Sequence, residues 1–125
     1  MEIKIEVTKQ NPIMELTFSF ALNIITYVER LESKHKYVIA RQLLKSGTSI
    51  GANIREAQNA ESKLDFIHKF KIAAKEADET EYWLMLCEQS NSYENPDNLI
   101  QELITIKKII SKIIASSKKS LSQKN

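Results

Sequence analysis

The sequence predicts an all-α protein, an antiparallel up-down-up-down four-helix bundle, on three observations. Helix breakers are scarce, with two glycines and two prolines in 125 residues, while Leu, Ile, Lys, Glu and Ala, which favour long helices, abound. Apolar residues recur at three and four along four separate stretches, the period of a helix with one buried face. The polar boundaries between those stretches are short, and short connections force antiparallel neighbours.

Asn11-Pro12 opens the first helix, expected over 12–33, with Asn as cap and Pro where its missing N–H costs nothing. Ile13, Leu16, Phe20, Ile24, Tyr27, Val28 and Leu31 form its apolar face. Glu32 to Lys36 breaks the pattern, and a second helix over 37–59 carries Ile39, Leu43, Ile50, Ile54 and Ala57. Ser62-Lys63-Leu64-Asp65 reads as a capping box opening a third helix over 63–90, with Phe66, Phe70, Ala73, Ala77, Leu84 and Cys87 inward. Ser90 to Asp97, containing Pro96, is a loop. A fourth helix over 97–117 runs on Ile100, Leu103, Ile106, Ile110, Ile113 and Ile114.

Residues 1–10 are different. Ile3, Ile5 and Val7 alternate with polar residues, a strand rhythm with no second strand to pair with, so this arm is expected to fray or to pair with another copy. The expected organisation is an arm at 1–10, a bundle at 11–118 and a basic C-terminal tail at 119–125. Composition narrows the class further. No segment approaches ~18 consecutive apolar residues, which excludes a membrane span. The charged N-terminus does not read as an export signal, and Cys87 is alone, so a reducing, cytoplasmic location is expected.

One stretch is dense with unusual residues. Gly47 and Gly51 lie inside the second helix, where each costs about 1 kcal/mol relative to Ala, and close approach of another helix is the usual compensation. Gln42, Ser46, Ser49, Asn53 and Glu56 form a polar stripe at helical spacing, and Ile72, Glu76, Glu79, Trp83 and Leu86 form another on the third helix. These stripes predict a hydrogen-bonded seam, either within the bundle or between subunits, with Glu79 pairing to Arg55 or Asn53.

The run from Gln42 to Ala57, the segments Ser62–Lys69 and Lys75–Leu84, and the Phe18-Ser19-Phe20-Ala21 and Leu103–Ile114 ends resemble the four-helix-bundle proteins of the 23S rRNA intervening-sequence family. Lys45 and Lys71 stand where that pattern has Arg and Ser. The resemblance covers residues 11–115 and implies a ring-like oligomer, a pentamer by preference. It also implies a nucleic-acid or ribonucleoprotein partner, since members sit in intervening sequences of ribosomal RNA genes and a similar bundle serves retroelement reverse transcriptases. It implies no activity.

Catalytic constellations are weak. Glu32 with His35 and Asp65 with His68 have a di-iron spacing, but an up-down bundle puts them at opposite ends, roughly 30 Å apart. No Gly-rich phosphate loop, zinc spacing or Ser/His/Asp arrangement occurs, so no cofactor, metal, enzyme activity or small-molecule substrate is expected. Charge is more informative. Folded up-down-up-down, residues 1–22, 50–75 and 107–125 gather thirteen Lys/Arg against six acids, a net +7, while the other end nets −5. The expected nucleic-acid-binding residues are Arg55, Lys69, Lys107, Lys108, Lys112, Lys118 and Lys119. The sequence therefore points to a homo-oligomeric adaptor for RNA, DNA or a nucleic-acid enzyme, with a pure protein-interaction module as the alternative.

Overall fold

The computed structural model describes residues 11–123. It holds four helices, α1 (Pro12–Ser33), α2 (Tyr37–Ala57), α3 (Lys63–Gln89) and α4 (Leu99–Ser122), and no strand among the described residues. The arm at 1–10 lies outside the described residues. Each helix packs on the next and α4 closes back on α1, with no diagonal contact. The bundle is therefore square in section, and the α1–α2 face lies opposite the α3–α4 face.

Local chemistry sets the helix starts. Asn11 Oδ1 accepts from the Met14 N–H at 3.4 Å with Pro12 at the first helical position. Ser62 Oγ accepts from the Asp65 N–H at 3.0 Å, while Asp65 reaches the Glu61 N–H rather than closing a reciprocal box. α2 ends at Ala57 and α3 at Gln89, two residues and one residue short of expectation, and both ends of α4 differ as well. α4 begins at Leu99, because Asp97 takes a left-handed turn (φ 53°) that a helix interior does not tolerate. It continues to Ser122, five residues beyond the expected end, so Lys118 and Lys119 sit on a helix and not in a tail. Leu121, half-buried, extends the Leu103–Ile110–Ile114 stripe, and Lys119 in the last turn suits the helix dipole.

The core follows the periodicity. Leu43, Ile50, Ile54, Phe70, Ala73, Ala77, Leu84, Leu103 and Ile110 are all buried, while Phe66 is half-buried against Phe70. Leu16, expected inward, is 38% exposed because it sits on the flank of α1 that faces α4. α1 and α2 approach closely at the two glycines of α2. A Cβ on Gly47 would meet Ile24 Cγ1 and Cγ2 at 3.0 Å, and one on Gly51 would meet Thr17 Oγ1 at 3.2 Å. Two polar ties close the far end. Tyr27 Oη donates to the Glu94 carbonyl at 2.6 Å, and Arg30 and Lys34 both pair with the Glu94 carboxylate.

Ile24 is fully buried and has nowhere to retreat, so size at position 47 is constrained. Gly47→Leu should lower unfolding free energy by about 3 kcal/mol or more in urea titration, since overpacking compounds with a forced α1–α2 separation. Gly47→Ala should change it by only about 1 kcal/mol, because gained helix propensity offsets the tight contact.

Candidate functional site

The expected polar seam resolves into two different surfaces of α2. Ser46 is buried against α3, its hydroxyl 2.9 Å from that of Thr80, which also lies 2.7 Å from the Glu76 carbonyl. With one proton to give, Thr80 donates to the carbonyl and accepts from Ser46. Gly47 and Gly51 face α1 instead. Gln42, Ser49, Asn53 and Glu56 line the outer edge of the α2–α3 groove, where Ser49 and Asn53 bond back to carbonyls of their own helix and Glu56 pairs with Lys69 at 3.4 Å.

Across that groove Trp83 Nε1 donates to Glu79 at 3.4 Å. Glu79 meets neither Arg55 nor Asn53. The Ser46–Thr80 contact sets Asn53 level with Ile72 and Ala73, two turns from Glu79, and Arg55 points to the α1 side of α2. Burial, then the neighbouring Glu79, pushes the Glu76 carboxyl above its ordinary range, with Lys45 opposing.

Cys87 is 1% exposed, and burial pushes its thiol up. It packs beside Tyr27, whose hydroxyl is also raised by burial first and by Cys87 second. Among the described residues no group of three His, Cys, Asp or Glu is gathered to hold a metal. His35 and His68 are both exposed, and His35 contacts Tyr37 Oη at 2.8 Å.

The basic residues divide by partner. Lys107 pairs with Asp78 at 2.9 Å and Glu81 at 3.0 Å, joining α4 to α3, and the hydrogen bond to Asp78 leads in holding its ammonium above its ordinary value. Lys69 is taken by Glu56, and Arg55 lines the cleft on the α1–α2 side. These three residues stand apart from the other four. Lys108, Lys112, Lys118 and Lys119 are exposed on α4 and form no ion pair among the described residues.

Lys71 and Lys75 join them. They lie on the stripe of α3 that continues to Asp78, the partner of Lys107, so they border the α3–α4 seam. The Lys107–Asp78 and Lys63–Ser120 contacts set the antiparallel register and bring them level with the Lys108–Lys112 turn. Two lysine rows therefore run side by side on neighbouring helices, about 8–10 Å apart by axis. Sequence reasoning counted Lys71 and Lys75 in the basic end but did not select them. Their four-residue spacing was visible, whereas the register that sets them beside α4 was not.

The opposite face is apolar. Phe18 and Leu22 on α1 are 48% and 51% exposed, with Ile25 and Leu44 also uncovered. A cleft of ≈ 200 Å³ between α1 and α2 is lined by Met14, Thr17, Phe18, Ala21, Thr48, Gly51, Ala52 and Arg55.

The model of the 23S rRNA-intervening sequence protein family matches residues 9–112. The chain belongs to that family. Its fold is similar to a crystal structure of a protein of unknown function from the S23 ribosomal protein family of Bacteroides thetaiotaomicron VPI-5482, with a TM-score of 0.78 and 40% identity. That likeness covers 82% of this chain and 97% of the other. No curated protein matches. The family match stops at residue 112, before Lys118 and Lys119 on α4. No helix in the described residues is long and apolar enough to cross a membrane.

Two outcomes test the α2–α3 seam. Thr80→Val leaves the buried Ser46 hydroxyl without its acceptor and should cost about 1–2 kcal/mol, whereas adding Ser46→Ala should recover most of that loss in denaturant titration. Glu76 is held above its ordinary value of 4.5, so the folded chain binds its proton more readily than the unfolded chain does. Its contribution is full below the ordinary value and is lost as pH rises through the raised one. Glu76→Gln should therefore raise Tm by about 1–2 °C at pH 7, and the gain should vanish below the ordinary carboxylate range.

Proposed function

We propose that this member of the family is a non-catalytic, homo-oligomeric adaptor that holds nucleic acid, or a ribonucleoprotein or reverse-transcriptase partner, against its α3–α4 face. The observation that carries this reading is the double row of unpaired lysines, Lys71 and Lys75 on α3 with Lys108, Lys112, Lys118 and Lys119 on α4. Among the described residues ion pairing does not account for them, and no acid follows Glu102 in the chain. Helix dipoles favour only those at the end of α4; on α3 the lysines lead and the acids trail, against the dipole.

Phosphate is the group such a surface attracts. No aromatic lies among the α4 lysines to stack on a base, so contact is with the backbone and weakly dependent on sequence. The family to which the chain belongs, the 23S rRNA-intervening sequence proteins, is in keeping with an RNA setting. Assembly into a ring, five copies by family resemblance, multiplies a modest charge per chain into a strong field. The uncovered apolar face on α1 and α2 favours the alternative as well, a module that binds only protein, and the same titration separates the two.

RNA and DNA of mixed sequence should bind at ~50 mM salt and release steeply as salt rises, each phosphate contact adding about 0.9 to the log–log slope. Changing Lys108, Lys112, Lys118 and Lys119 together to Gln should weaken all sequences alike and flatten the slope by up to about 3.6. Glu88→Gln at the acidic end should not weaken binding. Absence of binding at low salt, or an unchanged quadruple variant, would leave the protein-interaction module in its place.

A further inference from the structure

The α1–α2 face carries a charge pattern that its own chain leaves unanswered. Along α1, Glu15, Phe18, Leu22, Ile25 and Glu29 recur at three and four, an apolar stripe closed at both ends by acid. Along α2, Arg41, Leu44, Thr48, Ala52 and Arg55 recur in the same way, closed at both ends by arginine. Gly47 against Ile24 and Gly51 against Thr17 fix the antiparallel register. That register brings Glu15 level with Arg55, and Glu29 level with Arg41. Among the described residues none of these four is in an ion pair.

We infer that this face binds a second copy of the chain with its bundle axis parallel, the α1 stripe of one copy lying on the α2 stripe of the other. In that arrangement Glu15 meets Arg55 of the second copy and Glu29 meets its Arg41, while large Phe18 packs on small Ala52 and Ile25 on Leu44. Turned end for end, α1 would lie on α1 and Glu15 would meet Glu29, with arginine facing arginine on α2. Like charges juxtaposed cost affinity and suppress the wrong register, so the pattern selects the parallel arrangement. Two helices of about 20 residues present a footprint on the order of 600 Å², near the ~800 Å² per partner of a stable interface. The residue pairs are the same in a closed pair and in a ring, but the two-helix footprint belongs to the closed pair; in a ring each contact uses α1 of one copy and α2 of the next. The inference rests on the homo-oligomer part of the proposed function and assigns its surface.

Light scattering on the full chain, with helicity followed by circular dichroism, reads the assembly against the 14.4 kDa of one chain. Glu29→Arg and Arg41→Glu should each weaken self-association roughly tenfold, and the two together in one chain should restore it to within about threefold. Both positions are exposed, so helicity should not change. Cysteine at position 29 on one population and at position 41 on another should crosslink through a short bis-maleimide only when the two are mixed, Cys87 being buried. Assembly that persists with both single swaps, or crosslinking of position-29 chains among themselves, overturns the face assignment alone. A 14.4 kDa particle at every concentration overturns the homo-oligomer reading with it, whatever the nucleic-acid titration shows.

Discussion

Everything in the bundle is referred to the contact of Gly47 with Ile24. A fully buried isoleucine wedged where a side chain would otherwise stand fixes how near α1 comes to α2 and which turn meets which. One residue earlier, Ser46 faces the other way and reaches Thr80 on α3. A single turn of α2 thus holds two neighbours in register through small residues on adjoining sides. The helix tolerates two interior glycines because the lost propensity, about 1 kcal/mol each, is offset by apolar burial that a larger residue would prevent. α4 is attached more loosely, by Lys107 to α3 and by Asn23 to Glu102 on the α1 side, where it leaves a shallow cleft beside Leu16 and Ile106.

That asymmetry explains what the sequence discloses. Caps are local, so Asn11-Pro12 and Ser62 announce helix starts without reference to the rest of the fold; both cap, although Asp65 bonds the Glu61 N–H instead of closing the expected box. The buried positions from Leu43 to Ile110 are legible because periodicity needs only one helix at a time. The end of α4 is not legible, since the Ala115–Lys119 run looks like a tail until Leu121 rejoins the apolar stripe. Pairings between helices lie further out of reach. Lys107 looks like any tail lysine in the sequence, and only the α3–α4 register reveals that Asp78 and Glu81 occupy it. Arg55 carries charge at the basic end, yet its place in the α1–α2 cleft separates it from the other cations. Charge can be summed by end from the sequence, but assigning it to one face requires knowing which residues are already paired.

The square section keeps two unlike surfaces apart. Apolar side chains left uncovered on α1 and α2 invite association with protein. The lysine rows on α3 and α4 lie across the core from them. A partner on one face does not cover the other, and the two proposed contacts, copy to copy and protein to phosphate, do not compete for area.

They are linked instead through direction. Net charge on one chain is only +2, a weak attraction for phosphate, and the separation into a basic and an acidic end helps only if neighbouring copies stand the same way up. Head-to-tail neighbours would set each basic end beside an acidic one and cancel the field within a Debye length of about 8–10 Å. The acid-ended stripe on α1 and the arginine-ended stripe on α2 favour parallel copies for reasons that involve no nucleic acid at all. Selection of the parallel arrangement at the copy–copy face is therefore what would turn an ordinary polarised bundle into a concentrated basic surface, and four carboxylate and guanidinium groups far from the lysines would govern how strongly those lysines act.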